Sequence, residues 1–275
     1  VKAPVSVVIN TRNAERWLEW SLRSVRDWAS DLVVVDMHSD DRTVEIAKAA
    51  GARVFLHEPL GYVEPARDFA VAQASQEWVL VLDADELVPP ALAAEFTRIA
   101  HDGAADAVRT GHLNYFFGVP LLGGGWGVNQ DRHVRFFRKG HLEFGQQIHA
   151  QLRPTAGARV LDLDSRGGRH FVHFNYESVS DFLLRLDRYT SVEARARGAA
   201  NERPSMLFTA CREATNRFVR LGGWRDGWRG LYLALAMGLY RATIAAKMRE
   251  GAERGGEAAH ACDEREAARW LEPRP

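Results

Sequence analysis

Along its first hundred residues the chain alternates between short, continuous apolar runs and stretches in which apolar residues recur every three to four positions. Val5-Ser6-Val7-Val8-Ile9 ends at Asn10, Leu32–Val35 ends at Asp36, and Trp78–Leu82 ends at Asp83, with a shorter run at Arg53–Leu56. Runs this short that are apolar on both sides predict buried strands. Between them, residues 14–28 place Trp17, Leu18, Leu22 and Val25 on one helical face. Asp40 or Asp41 caps a helix that runs to Ala50 and is stopped by Gly51. Glu64-Pro65 opens another helix, and Pro89-Pro90 starts one that reaches Ala100. Strands that alternate with helices in this way predict a parallel sheet covered on both faces. Every polar cluster falls at the carboxyl end of a strand, the edge at which open α/β sheets bind ligands.

After residue 104 the alternation breaks. Short strands at Ala107–Thr110 and His133–Phe137, the run Gly123-Gly124-Gly125 and scattered aromatics predict a mixed, irregular half. Helical spacing returns over 179–197 and 205–249, and the Ala/Glu/Arg-rich tail from Gly251 reads as a loose helix. The expected division is therefore 1–104, 105–178 and a helical extension over 179–275.

Composition changes this picture little, but charge does. Thirty-six basic side chains balance thirty-six acidic ones over 275 residues, which argues against a dedicated nucleic-acid binder. The balance is uneven: residues 1–100 carry 10 Lys/Arg and 16 Asp/Glu, whereas residues 203–249 carry 9 and 2. Two cysteines, Cys211 and Cys262, make no disulfide framework, so a reducing compartment is expected.

The sharpest chemical feature is Asp83-Ala84-Asp85-Glu86, directly after the fourth strand. Two carboxylates at spacing two on a tight strand exit can share one hard divalent cation and its bound diphosphate. The other reading is an acidic loop that caps the following helix. Asp36, in Asp36-Met37-His38-Ser39-Asp40-Asp41, can accept a hydrogen bond from a base or a ribose, while Asp40 and Asp41 read as helix caps. Thr11-Arg12-Asn13 is a third polar cluster on the same edge, and Arg67 can meet a phosphate or lie on the surface.

These motifs, in this order, resemble the family 2 glycosyltransferases of the GT-A fold. The front-half signature is Val7-Val8-Ile9-Asn10-Thr11-Arg12-Asn13, Val34-Val35-Asp36, Thr43–Ala47, Gly51–Val54, Ala66-Arg67 and Leu82–Glu86. In the back half, Gly124-Gly125-Trp126, Asp131, Val134–Gly140, Ile148-His149, His173-Phe174 and Gly227–Ala234 resemble the subgroup of lipopolysaccharide-core β-1,4-glucosyltransferases and peptide S-glycosyltransferases. The resemblance spans residues 5–250. It implies an α/β GT-A fold: a Rossmann-like, mostly parallel central sheet flanked by helices, with a helical C-terminal extension. Residues 1–104 would form the nucleotide-sugar-binding half and 105–178 the acceptor-binding half.

The activity it implies is inverting transfer from a nucleoside-diphosphate sugar, by default a UDP-sugar, to a hydroxyl or thiol of a glycan, peptide or small natural product. Thr11, Arg12, Asn13, Asp36, Arg67, Asp83 and Asp85 would bind the donor. Asp85 would hold Mn²⁺ or Mg²⁺, joined by His149, with His173 competing for that role. Asp131 is the expected base, or else a structural partner of Arg132 or Arg135; Trp126 is the expected acceptor platform, or else core. Two positions depart from the subgroup: Ala150 stands where Glu is usual after the His, and Asp68 where Asn is usual. The rivals are a nucleotidyltransferase, for which Thr11–Glu15 lacks the glycine-rich phosphate loop, and a catalytically impaired nucleotide-sugar-binding protein.

Residues 224–249 interleave Trp224, Arg225, Trp228 and Arg229 with the apolar run Leu231–Tyr240. The run is too short to span a bilayer. It suits either a peripheral membrane contact or a helix packed on the catalytic domain. The expected location is cytoplasmic, with at most peripheral contact to the inner face of the membrane, and no nucleic-acid partner is expected.

Overall fold

The computed structural model describes residues 2–58, 64–143, 152–199, 205–253 and 259–271. The chain divides into two compact units, residues 1–122 with 126–177 and residues 123–125 with 178–275.

The first unit begins with β1 (Ala3–Thr11), α1 (Glu15–Val25), β2 (Ala29–Asp36), α2 (Thr43–Ala49), β3 (Arg53–Leu56), α3 (Glu64–Gln73) and β4 (Trp78–Asp83). It continues with β5 (Glu86–Leu87), α4 (Pro90–Asp102), β6 (Ala107–Phe116), β7 (Val119–Pro120), β8 (Arg132–Arg138), β9 (Leu142–Glu143), β10 (Arg153–Pro154), β11 (Val160–Asp162) and β12 (Phe171–Tyr176). The main sheet runs β3-β2-β1-β4-β8-β6-β12-β5, with β7 and β11 also paired to β6. Strands β1 to β4 are mutually parallel. The sheet then turns mixed, because β8 lies antiparallel between β4 and β6 while β12 is again parallel to β6.

The apolar runs behave as their two-sided character requires. Val5, Val7 and Ile9 of β1 face one layer, where Leu18 and Leu22 of α1 and Leu92 and Phe96 of α4 cover them. Val8, with Val33 and Val35 of β2 and Val79 and Val81 of β4, faces the opposite layer, closed by Ala70 and Ala74. Phe136 of β8 is sandwiched between Trp78 and Phe96, at ring-centroid distances of 4.6 and 4.3 Å. Removing either fully buried phenylalanine ring would cost about 3–5 kcal/mol. Pro90 opens α4, and Gly103, at φ 63°, ends it by donating its N–H to the Ile99 carbonyl at 3.1 Å.

The irregular half is more ordered than its sequence pattern implies. The strand expected at Ala107–Thr110 runs on to Phe116. Gly111 permits this, since a Cβ there would sit 2.0 Å from the Val128 carbonyl oxygen.

The second unit is helical: α5 (Val179–Ala199), α6 (Met206–Thr215), α7 (Gly227–Glu253) and α8 (Ala259–Leu271). The Gly123–Gly125 run belongs to this unit. It is tied down by Gly123 N–H to Asp226 Oδ2 at 3.0 Å, Gly124 N–H to the Leu221 carbonyl at 2.8 Å and Arg217 to the Gly124 carbonyl at 2.7 Å. Helices α6 and α7 approach closely at Gly238, where a Cβ would stand 2.9 Å from the Ala210 carbonyl. Among the described residues no helix is long and apolar enough to cross a membrane.

Candidate active site

The carboxyl ends of β1, β2 and β4 lie side by side, with Thr11 in register with Asp36 and Asn10 with Asp83. The loops that leave β1 and β2 are stitched together. Asn13, at φ 51°, donates its backbone N–H to Ser39 Oγ at 2.8 Å, and its side chain accepts the Asp40 N–H at 3.1 Å. Asp41 accepts the N–H groups of Thr43 at 2.9 Å and Glu15 at 3.1 Å, so one carboxylate serves the starts of both α2 and α1. Asp36 is fully buried; it accepts from Thr11 Oγ1 at 3.0 Å and from Ser39 N–H at 2.9 Å. Thr11 and Asp36 thus shape the loop from beneath, while Arg12 and Asn13 stand exposed on it.

Asp83, the first acid of the Asp-Ala-Asp motif, is clamped. Arg67 donates to one oxygen at 3.0 Å and Arg135 to the other at 2.8 Å. Burial alone would raise this carboxyl, but the two guanidiniums hold it well below the usual carboxylate range. Glu86, fully buried, accepts the Asp83 N–H at 2.9 Å and lies 3.8 Å from Arg135.

Asp85 points elsewhere. Its Oδ1 is 3.6 Å from His173 Nε2 on β12. The His173 ring is fixed from behind, since its Nδ1 lies 3.0 Å from Asn114 Oδ1 and donates to it. Burial alone would lower the imidazole, but the Asp85 carboxylate, helped by Glu86 and Asp83, pushes it up to about 9. The backbone reinforces the pairing: Phe174 N–H donates to the Asp85 carbonyl at 3.0 Å, and Phe174 stacks on Trp17 of α1 at 4.3 Å.

The donor set of Asp85 and His173 fits a divalent cation. It combines a carboxylate oxygen with an imidazole nitrogen whose far side is oriented by a second-layer amide, as metal-binding histidines require. His149 and Ala150 lie outside the described residues.

A second polar group occupies the neighbouring strands. Asp131 accepts from Asn114 Nδ2 at 2.7 Å through one oxygen, and its other oxygen is 2.6 Å from His133 Nε2. Burial would raise the Asp131 carboxyl, but His133, His112 and Asn114 bring it down to about 2. His112, buried on β6, sets Nε2 at 3.3 Å from Glu86 Oε1, misaligned for a hydrogen bond. Donor atoms of His112, Asp131 and His133 lie within 4.8 Å of one another. The 2.6 Å Asp131–His133 contact is a hydrogen-bond distance, shorter than the ~3 Å separation of adjacent ligands on a cation held at about 2.1 Å. Trp126 is half-buried and packs on Phe116 at 5.1 Å, and its carbonyl accepts from Asn114 at 3.0 Å.

His112, Asn114 and His133 belong to this constellation but carry no role in the sequence motifs. The signal that marks them is a polar residue at every second position: 112 and 114, then 131, 133 and 135, then 173 and 175. On strands, that spacing puts all of them on one face of each strand.

A mostly parallel sheet with this acidic carboxyl edge, extended by mixed strands and followed by helices, defines a GT-A-like transferase. Residues 6–159 match the model of glycosyl transferase family 2. The chain is 27% identical over 262 residues to the lipopolysaccharide core biosynthesis glycosyltransferase LpsC of Rhizobium meliloti, across 90% of this chain and 92% of that protein. It is 38% identical over 201 residues to an uncharacterized glycosyltransferase of Rickettsia typhi, across 70% of this chain and 67% of that protein. A similar solved structure is glucosyl-3-phosphoglycerate synthase from Mycobacterium tuberculosis in complex with Mn²⁺, uridine diphosphate and glucosyl-3-phosphoglycerate. There the TM-score is 0.35 and the identity 24%, covering 41% of this chain and 44% of that one, so less than half of that structure's length is matched. The chain belongs to glycosyltransferase family 2, and its activity is transfer of a sugar from a nucleotide sugar. This assignment displaces the nucleotidyltransferase alternative.

Proposed function

We propose that the protein is a metal-assisted, inverting glycosyltransferase that moves a sugar from a uridine diphosphate sugar to a hydroxyl of a saccharide acceptor. The observation that carries this reading is the Asp85–His173 pair, 3.6 Å apart, with the imidazole fixed by Asn114. These two side chains would hold Mn²⁺ or Mg²⁺, which when bound supplies Lewis-acid neutralisation of the departing diphosphate. Residues 1–104 would bind the donor and 105–178 the acceptor.

In this reading, Arg12 and Asn13 contact the donor from the exposed β1–α1 loop, which Thr11 and Asp36 hold in shape. Asp83 is kept ionised by Arg67 and Arg135 and is thereby fixed to accept a ribose hydroxyl. Asp131 and His133 act as a pair that takes the acceptor proton. The acceptor oxygen then forms its bond to the anomeric carbon, the bond from that carbon to the diphosphate oxygen breaks, and the electron pair leaves with the diphosphate. Attack from the face opposite the leaving group inverts the anomeric centre. Trp126 would offer a ring to the acceptor sugar. Similarity to LpsC along most of both chains supports a saccharide acceptor over a peptide.

The test is thermal denaturation with UDP, with and without Mn²⁺, since a ligand of the native state raises apparent stability by mass action. Stabilisation by UDP should grow with Mn²⁺ in the wild type and lose that increment in Asp85→Ala. Equal stabilisation in all four conditions would remove the metal assignment.

A further inference from the structure

The second unit carries an apolar surface that its own fold does not use. Of seventeen large apolar side chains exposed among the described residues, thirteen lie in this unit. Five form a stripe on and just before α7: Trp224, Trp228, Leu231, Leu235 and Leu239, exposed by 62, 57, 47, 59 and 55%. The spacing of three or four residues keeps Trp228, Leu231, Leu235 and Leu239 on one side of the helix, over about 16 Å. The opposite side of α7 is buried through Leu233, Ile244 and Met248. The helix is therefore apolar both where it packs and where it faces out, and a continuous exposed stripe of this kind marks an interaction surface.

Charge decides what meets it. Residues 205–249 hold eight Lys/Arg against only Glu213 and Asp226. Some of these bases are consumed inside the unit: Arg217 binds Glu213 at 2.7 Å, Arg241 lies 3.3 Å from Glu193, and Lys247 binds Asp187 at 2.6 Å. Arg212, Arg220, Arg229 and Arg249 have no carboxylate partner among the described residues. Two of them sit against aromatic rings, Arg229 over Trp228 at 4.6 Å and Arg212 over the exposed Phe208 at 5.7 Å. Exposed apolar side chains and guanidiniums with no carboxylate partner are thus interleaved along this unit. A second copy of this unit docked on itself would bring like charges together across a two-fold axis. An anionic bilayer offers acyl chains for the stripe and phosphates for the arginines.

We propose that α7 lies in the plane of an anionic phospholipid surface, with Trp224, Trp228, Leu231, Leu235 and Leu239 inserted at the headgroup–acyl boundary and Arg212, Arg220 and Arg229 at the phosphates. The inference does not depend on the sugar-transfer chemistry proposed above.

The test is co-sedimentation of the full chain with phosphatidylglycerol vesicles and with phosphatidylcholine vesicles, at low and high salt. Binding to phosphatidylglycerol should exceed binding to phosphatidylcholine and fall with salt. Leu235→Glu should lower it about tenfold, and Arg220→Glu should weaken it and flatten its salt dependence. If Leu235→Glu fails to fold by circular dichroism, Trp228→Ala provides the same comparison, with a smaller loss. Absence of wild-type sedimentation with phosphatidylglycerol would overturn the proposal, as would binding that Trp228→Ala and Arg220→Glu leave unchanged. A dimer in sedimentation equilibrium that Trp228→Ala dissociates, with no vesicle binding, would assign the face to a second copy instead.

Discussion

Asn114 joins His173 and Asp131: its amide oxygen accepts from His173 Nδ1 at 3.0 Å, and its amide nitrogen donates to Asp131 Oδ2 at 2.7 Å. One neutral, fully buried side chain therefore orients both the imidazole proposed to hold the metal and the acid of the proposed proton-accepting pair.

Replacing it should disturb both. Asn114→Ala is expected to weaken Mn²⁺ binding by about ten- to a hundredfold, as loss of an outer-shell partner does. Isothermal titration with Mn²⁺ in the presence of UDP reads this directly. Unchanged affinity would mean that Asn114 does not orient His173.

Asp131→Asn and His133→Ala should each lower kcat by about a hundred- to ten-thousandfold while leaving donor affinity close to wild type. Residues that act as a unit are non-additive, so the double variant should be little slower than the worse single one. Single-turnover rates with saturating donor provide the comparison. Additive losses would argue that the two residues do not share one proton.

Arg135 is the counter-ion of Asp83 and lies near the fully buried Glu86. Arg135→Met should cost about 3 kcal/mol in urea unfolding, because it leaves the buried Glu86 without its nearby guanidinium and Asp83 with Arg67 alone. The Arg135→Met/Asp83→Asn double variant should recover part of that loss. If the double variant is less stable than Arg135→Met by the full cost of a second independent lesion, the pairing is not what stabilises the site.

Asp31 provides a pH-dependent contribution far from the chemistry. Burial would raise it, but Arg53 at 2.9 Å, Ser6 and Ser75 lower it from 3.8 to about 2. A carboxyl depressed in the folded state stabilises the fold above its unfolded pKa and loses that contribution as pH falls from about 4 towards 2. Asp31→Asn should thus cost about 2 kcal/mol at neutral pH and show a shallower acid limb in urea melts. An acid limb identical to wild type would contradict this.

The front half of the sheet was legible because its strands are apolar on both faces and each ends on a polar residue, as Asp36 and Asp83 do. Asp83 and Asp85 could be picked out for the same reason, yet their different environments could not. The clamp on Asp83 comes from Arg135, fifty-two positions away, and the partner of Asp85 comes from β12. The sequence pattern ends β6 early because Gly111, His112 and Asn114 resemble loop residues in isolation, whereas in the fold Gly111 admits the Val128 backbone and the polar pair is buried. Nothing local to the Gly123–Gly125 run announces the distant Arg217, Leu221 and Asp226 that hold it.

The two-residue strand β5 pairs Glu86 with His173 in register, and Phe174 closes the ladder on the Asp85 carbonyl. Main-chain hydrogen bonds thus bring Asp85 and His173 together across more than eighty residues of sequence. Loops within that stretch can change length without moving the pair, provided β6 keeps Asn114 on His173. The edge ladder works as a mechanical clasp on the two side chains.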